Sequence, residues 1–181
     1  RSGVELLAGI PSVVYGFFGL VIIVPFVRLL GPGTGLSVLA ASLILGIMIL
    51  PTVITVAQSA LDAVPARYYE GALALGVDHE HAVFKVVAPA AASGIMAAIV
   101  LGLGRAIGET MAVVMVAGNM PIIPDSLLSG VRTMTANIVL EMGYAADLHR
   151  EALIATGVVL FVFILLITML LNVIRKRGEA R

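Results

Sequence analysis

Four apolar stretches of bilayer length constrain the fold of this chain more than any other feature of its sequence. They cover residues 12–30, 36–60, 92–119 and 152–174. A helix needs about 20 predominantly apolar residues to cross the hydrocarbon core of a membrane. None of the stretches alternates apolar and polar residues as the strands of a membrane barrel do. The sequence therefore predicts an all-α, polytopic transmembrane bundle with about four spans.

The composition supports a membrane protein and argues against several other classes. Of the 181 residues, 60% are hydrophobic and 12% are charged, against roughly 25% charged residues in soluble domains. The formal net charge is zero, so nothing indicates nucleic-acid binding. Because the chain has no cysteine, it has neither a disulfide framework nor a thiolate metal site. The chain starts at Arg1 rather than at methionine, and we expect native N-terminal sequence to be missing.

Residues 61–89, here called the coupling segment, are unusually polar for this chain. We expect the segment to lie outside the bilayer as two short helices joined by a tight turn. Pro65 suits the first turn of the first helix, Gly76 suits its C′ position, and Asp78 can cap the second helix. The charged residues and histidines of the segment are Asp62, Arg67, Glu70, Asp78, His79, Glu80, His81 and Lys85.

The basic residues predict the orientation of the spans, since cytoplasmic loops carry an excess of lysine and arginine. A cytoplasmic C-terminus places seven basic residues inside, namely Arg1, Arg67, Lys85, Arg175, Lys176, Arg177 and Arg181, and three outside, namely Arg28, Arg132 and Arg150. We therefore expect a multi-pass protein whose C-terminus and coupling segment face the cytoplasm. Residues 120–150 are expected to lie on the other side, with one short or re-entrant helix.

Arg105 and Glu109 lie near the middle of the third apolar stretch. A charge at the centre of a membrane helix costs roughly 2.5–3.5 kcal/mol, so such residues usually line a cavity or a pathway. Because they are four residues apart, we expect them on one helical face, where each partly neutralises the other. The alternative is an ion pair that only fixes the register of the helix. Gly104 and Gly108 predict close helix packing or, alternatively, room for a solute.

The coupling segment carries a spaced motif. Glu70-Gly71-Ala72 is followed three residues later by Gly76 and, after nine more residues, by Val86-Val87-Ala88-Pro89. The spacing resembles the cytoplasmic signature of ABC importer permeases, although Gly71 and Ala88 replace an alanine and a leucine of the family pattern. The resemblance implies coupling helices that dock on an ATPase subunit. The alternative is an ordinary amphipathic loop.

Three further stretches resemble the phosphate-specific permeases of bacteria. They are Leu7-Ala8-Gly9-Ile10-Pro11-Ser12-Val13-Val14-Tyr15-Gly16, Ile49-Leu50-Pro51-Thr52 and Gly104-Arg105-Ala106-Ile107-Gly108-Glu109-Thr110-Met111-Ala112-Val113. Within the third stretch, the run Gly108-Glu109-Thr110-Met111-Ala112-Val113 is more similar to the PstC subunit of that family than to its PstA partner. The resemblance covers nearly the whole chain and implies one permease domain of the MetI-like type, residues 1–181, that lacks an N-terminal pair of its six spans. It also implies that Arg105 and Glu109 act in phosphate movement.

The resemblance implies the membrane subunit of an ATP-driven importer that moves inorganic phosphate across the bacterial inner membrane by alternating access. The implied partners are an ABC ATPase dimer at the coupling segment, a second related permease and a periplasmic phosphate-binding protein. This chain has no P-loop. We therefore expect that this chain is not an enzyme and binds no cofactor, and that ATP and Mg bind to the partner ATPase. The alternatives are a permease for another oxyanion or small polar solute and a passive anion channel.

The run His79-Glu80-His81 does not predict a metal site. Residues two apart on a helix point to different sides, and the His-Glu-x-x-His spacing of zinc enzymes is absent. We therefore expect no metal ligands in this chain.

Overall fold

The computed structural model describes residues 4, 7 and 9–179, which fold almost entirely into helices. Ala8, Arg1 and Arg181, which entered the predictions above, lie outside these residues. Apart from helices, the described backbone contains an isolated parallel bridge between Gly118 and Val131. The helices are α1 (Ser12–Arg28), α2 (Val38–Asp62), α3 (Ala66–Ala74), α4 (His79–Ala90), α5 (Ala92–Gly108), α6 (Met111–Val116), α7 (Met134–Glu141) and α8 (Asp147–Glu179).

The all-α class is confirmed, but fewer helices than predicted are long enough to cross a membrane. Of the described helices, α2 and α8 meet the requirement, with 25 residues in α2 and 27 in the apolar part of α8, Asp147–Val173. Helices α4 and α5 reach the length only together, and they meet at a bend of 66°. Helix α1 is apolar but shorter. The described residues thus contain two full-length spans, or three with the bent pair, against about four predicted.

Helices α2 and α5 pack antiparallel along a line of small residues. On α5 this line consists of Gly94, Ala98 and Gly102, and Ala98 is fully buried. A Cβ atom at Gly94 would collide with Ala60, and one at Gly102 would lie 2.5 Å from Cγ2 of Val53. Small residues every four positions allow two helix backbones to approach closely. The close contact makes α2 and α5 the central pair of the fold.

The third predicted span is not one continuous helix. Helix α5 ends at Gly108, Glu109 has extended backbone angles, and α6 begins at Met111. The Glu109 carboxylate accepts a hydrogen bond from the N–H of Ala112, and the Thr110 hydroxyl donates to the carbonyl of Gly108. Side-chain bonds of this kind compete with the backbone bonds of a helix. The prediction of an unbroken helix over residues 92–119 is therefore wrong.

A π turn precedes the proline in both α1 and α4. The turns cover Gly19–Ile23 and Val83–Val87, and each ends two residues before its proline, Pro25 or Pro89. In each case the N–H of the residue just before the proline donates a hydrogen bond to the carbonyl five residues earlier: Val24 to Gly19, and Ala88 to Val83. Proline has no N–H and clashes with the carbonyl four residues earlier. A π turn widens the helix at this point, so each proline fits without ending its helix.

The loop between α6 and α7 covers the N-terminal end of α2. The carbonyls of Leu127 and Ser129 accept hydrogen bonds from the N–H groups of Leu39 and Val38, at 2.8 Å and 3.0 Å. The buried Ser37 caps the helix through the N–H of Ala40. The N–H groups that a helix start leaves free are thereby satisfied. The loop thus lies at one end of α2 and the coupling segment follows the other.

The buried core lies where α1, α2 and α6 meet. Val27 of α1, Ile44 of α2, and Val113 and Val116 of α6 are almost fully buried. Helix α8, by contrast, has only 6% of its most apolar window buried within the described chain. An exposed apolar helix of this kind suits contact with lipid or with another membrane helix.

One short helix follows the loop, as the sequence predicted for residues 120–150. This helix, α7, is capped by Thr133, and its first turn contacts the helix break, because the Thr135 hydroxyl donates to the Glu109 carbonyl at 3.1 Å. Further along, Ile138 lies near Gly157 of α8. Helix α7 therefore packs between the helix break and α8.

Candidate functional site

The guanidinium of Arg105 lies in the last turn of α5, beside the middle of α2. Its Nη1 donates a hydrogen bond to the hydroxyl of Thr52, at 3.1 Å, and Thr52 lies close to the midpoint of α2. The Arg105 side chain is otherwise exposed, and the described residues accept no further hydrogen bond from it. Because guanidinium has five N–H donors, most of them stay available. Thr52 is a partner that the sequence pattern did not single out.

The Arg105 side chain lines a cavity between α5 and α8 of about 460 Å³. The cavity is mainly apolar, and its polar side chains are Arg105, Thr168 and Asn172. A largely apolar cavity with a few convergent polar groups is the usual form of a small-molecule site. The remaining lining residues are Ala97, Val100, Leu101 and Gly104.

Glu109 and Arg105 have separate hydrogen-bond partners, although they lie four residues apart. Within the described part of the chain no ion pair joins the two residues. The Glu109 carboxylate instead accepts from the N–H of Ala112, and Arg105 donates to Thr52. The chain turns after Glu109, whose ψ is 132°, and this brings the N–H of Ala112 within reach of the Glu109 carboxylate. A direct ion pair between Arg105 and Glu109 therefore does not form in the described residues.

Glu109 lines a second, smaller cavity of about 230 Å³. This cavity adjoins the N-terminal part of α2 and the start of α7, and it carries the hydroxyls of Ser42, Thr133 and Thr135. Glu109 therefore lies closer than Arg105 to the end of α2 that the loop covers. The other lining residues are Val38, Ala41, Leu45, Ala106, Ile107, Val113 and Val131.

Gly104 and Gly108 make no close helix contact within the described chain. A Cβ atom at either position would have no neighbour within 4 Å. The packing face is formed by Gly94 and Gly102 instead, because residues two apart on a helix point about 200° apart. Gly104 borders the Arg105 cavity, which is the alternative that the sequence left open. A packing role for Gly104 and Gly108 stays a prediction for contacts with other chains.

The coupling segment forms the two short helices expected from the sequence, α3 and α4. Gly76 has a positive φ of 79°, its N–H bonds to Leu73, and the N–H of Val77 bonds to Ala72. These two bonds are the Schellman arrangement that ends a helix at a C′ glycine. Asp78 caps α4 through the N–H of His81 at 2.8 Å. Pro65 precedes the first residue of α3 directly.

The motif residues of the coupling segment divide into buried and exposed positions. Ala72 is buried, whereas Glu70, Gly71, Gly76 and Pro89 are exposed. Large apolar side chains in the same segment are also exposed: Leu75 to 86% and Phe84 to 72%. Exposed apolar side chains that are grouped in a polar segment are typical of a surface that binds another protein. Tyr68, Leu73 and Val77 extend the same exposed set.

An ion-pair network lies beyond α7, at the end opposite the coupling segment. Arg132 Nη1 contacts Glu141 Oε1 at 2.7 Å, and His149 Nε2 lies 3.7 Å from Glu141 Oε2. A hydrogen bond from Tyr144, together with the nearby Arg132 guanidinium, holds the pKa of the Glu141 carboxyl below its usual range. Arg132 also donates to the carbonyl of Asn119 at 3.0 Å. The network ties the loop to the start of α8.

The described residues contain no group of three or more His, Cys, Asp or Glu side chains arranged to hold a metal ion. His79 Nδ1 lies 2.6 Å from the Tyr69 hydroxyl, and His81 Nδ1 lies 2.9 Å from Asp78 Oδ1. The two histidines thus have different partners.

The sequence matches the family described as the inner membrane component of binding-protein-dependent transport systems, over residues 1–179. The match covers nearly the whole chain. The chain belongs to this family. The resemblance to importer permeases that the sequence predicted is thereby confirmed, and the apolar helices of a multi-pass inner membrane protein agree with it.

Curated relatives include permeases named for phosphate transport. Over 97% of its length the chain is 41% identical to a probable ABC transporter permease protein, YqgH, of Bacillus subtilis, and covers 58% of that relative. It is 37% identical to the phosphate transport system permease protein PstC of Mesorhizobium japonicum, covering 98% of the chain and 61% of the relative. PstC 1 of Mycobacterium tuberculosis is 36% identical, with coverages of 98% and 58%.

This family member spans only about three fifths of the length of these relatives. No solved structure matches the chain. The predicted similarity to PstC subunits is confirmed by the relatives of that name.

Proposed function

We propose that this chain is part of the membrane-spanning permease subunit of an ATP-driven importer, and that the importer carries inorganic phosphate across the bacterial inner membrane. The observation that carries the proposal is the guanidinium of Arg105, which stands in the last turn of α5 beside Thr52 of α2, keeps most of its donors free and faces a cavity. Family membership and the relatives named for phosphate transport support it.

Arginine suits the task because its guanidinium is planar and stays protonated at any working pH. Its paired N–H groups match two oxygens of a phosphate. In a site with little water this positive charge lowers the cost of bringing an anion into the membrane. The hydrogen bond from Arg105 to Thr52 fixes one edge of the guanidinium, so the other edge can meet the substrate without first being ordered.

Glu109 has a different role in the proposal. Its carboxylate lies at the helix break, in the smaller cavity nearer the loop-covered end of α2. A negative charge near the pathway opposes the tight binding of an anion at Arg105, and conduction requires that binding stay weak enough for release. In this proposal Glu109 limits the affinity of the pathway for phosphate, while Arg105 attracts the anion.

The partners and the orientation belong to the same proposal. An ABC ATPase dimer docks on the exposed face of the coupling segment, a second related permease completes the pathway, and a periplasmic phosphate-binding protein delivers the substrate. The coupling segment and the C-terminus face the cytoplasm, in agreement with the excess of basic residues there. ATP and Mg bind to the ATPase, and this chain is a non-enzymatic transport component with no cofactor of its own.

The test is reconstitution of the full-length permease with its ATPase, second permease and binding protein in liposomes. We expect external phosphate to stimulate ATP hydrolysis and to accumulate inside, with sulfate and molybdate giving little of either. Stimulation by sulfate or molybdate instead would favour a permease for another oxyanion. Phosphate flux without ATP would favour the passive channel.

A further inference from the structure

Asn172 is a polar residue within the last apolar helix, α8, which the sequence analysis treated as an uninterrupted span. It lies inside the 27-residue part of α8 that is long and apolar enough to cross a membrane. Its side chain lines the 460 Å³ cavity together with Arg105. Averaging hydropathy over a window conceals a single amide of this kind.

The side-chain amide of Asn172 forms no hydrogen bond with the residues that the structure describes. An unpaired amide is costly where water is scarce, because its donors and its acceptor stay unsatisfied. Polar residues inside spans therefore usually face a water-filled cavity or a partner. Asn172 is only partly exposed and faces the Arg105 cavity, so a molecule that enters this cavity can satisfy its amide.

Thr168 lies one helical turn before Asn172 and lines the same cavity. Its hydroxyl donates to the carbonyl of Ile164 at 2.8 Å, so the oxygen keeps acceptor capacity toward the cavity. The wall that α8 contributes is thus polar at two successive turns, opposite a cationic wall from α5.

We infer that the amide of Asn172 hydrogen-bonds to phosphate as it passes Arg105, so that Asn172 is a substrate-contacting residue of the pathway. The inference rests on the proposed function. Near neutral pH inorganic phosphate presents both acceptor oxygens and at least one P–OH donor. An amide matches this set, because its NH₂ group donates and its carbonyl accepts. Arg105 can only donate, so Asn172 supplies the acceptor that a protonated oxyanion needs.

The absence of cysteine from the chain allows a direct test by thiol labelling. In the full-length permease, with any cysteine outside the present 181 residues replaced and with cysteine-free partners, Asn172→Cys is treated with a small, charged methanethiosulfonate reagent. We expect labelling, and we expect phosphate with ATP turnover to slow it. The matched control is Val173→Cys, one residue along the same helix and outside the cavity. Because the exposed apolar face of this helix suits contact with lipid or another membrane helix, the charged reagent should leave Val173→Cys unlabelled. An unlabelled Asn172→Cys, or labelling that phosphate leaves unchanged, would overturn the inference.

Uptake provides a second, independent readout. Asn172→Leu has nearly the same volume but no amide, and we expect it to lower the maximal rate of phosphate uptake about tenfold with assembly unchanged. Val173→Leu should transport at the normal rate. If wild-type complex imports phosphate and Asn172→Leu imports it equally fast, this inference alone fails. If the wild-type complex imports none, the proposed function fails.

Discussion

At the scale of single residues, the two charges within the third apolar stretch are the most informative feature. Arg105 and Glu109 are close in the sequence but have separate partners and separate cavities. Because no carboxylate neutralises Arg105 in the described chain, its charge is available to an anion. The two residues can therefore be tested independently.

Removing the charge of Arg105 should abolish transport. For Arg105→Gln we expect ATP-driven phosphate uptake to fall about a hundredfold, the equivalent of about 3 kcal/mol for a lost charged hydrogen bond. Uptake by the reconstituted complex is the measurement, with co-purification as the check on assembly. Arg105→Lys keeps the charge without the planar fork and should retain intermediate activity. Near-normal uptake by Arg105→Gln would refute a pathway role.

Thr52 is proposed to position Arg105, so a substitution of Thr52 should lower phosphate uptake less than Arg105→Gln does. Thr52→Val removes the hydroxyl with little change in shape, and one neutral hydrogen bond corresponds to about a threefold to tenfold loss in uptake rate. Thr55→Val is the matched control, because the Thr55 hydroxyl donates to the carbonyl of Pro51 within its own helix and contacts no other helix through a hydrogen bond in the described residues. Equal rates for the two variants would show that the Thr52 contact has no part in transport.

At the scale of elements, the line of small residues on α5 sets the distance between the two central helices. In Gly94→Ala the new methyl group collides with Ala60, so we expect the assembled complex to lose about 1–3 kcal/mol of stability. Gly46→Ala is the control, because its methyl group would meet open space and alanine favours a helix. Thermal unfolding in detergent distinguishes them. A lower melting temperature for Gly46→Ala than for Gly94→Ala would contradict the packing.

Local sequence signals predicted the helices more successfully than their contacts. Gly76 and Asp78 were placed correctly because a C′ glycine and a capping aspartate act through bonds to their own neighbourhood. The break at Glu109 was missed because Thr135, 26 residues away, helps to hold it. The packing face of α5 was assigned to Gly104 rather than Gly102 because the rotation of a helix depends on its partner. Asn172 was missed because no nearby residue signals its cavity.

At the scale of the whole molecule, the bundle has a polar helical segment at one end and a loop held by ion pairs at the other. The coupling segment is joined through α4 to α5, the helix that carries Arg105. A force on the coupling segment therefore has a covalent route to the proposed pathway. Such a route matches alternating access, in which binding at one site shifts the balance between two states.

Reversing the charge of Glu70 tests this route. Glu70 is exposed on α3, and we expect Glu70→Lys to weaken ATPase association and to lower phosphate-stimulated ATP hydrolysis severalfold, because the docking surface loses its charge complementarity. Glu80→Lys makes the same change outside the motif and should have less effect. Pull-down of the ATPase and the rate of hydrolysis are the measurements. Unchanged association and stimulation in Glu70→Lys would count against docking at this face.

The π turn before Pro89 has a mechanical consequence. Such a turn holds one residue more than an α-helical turn does, and each residue corresponds to a rotation of about 100° about the helix axis. If the extra residue migrates along α4, the side chains that it passes are turned to new directions while the ends of the helix stay in place. The coupling segment is thus connected to α5 through a helix in which a movement along the axis can be converted into a rotation about it.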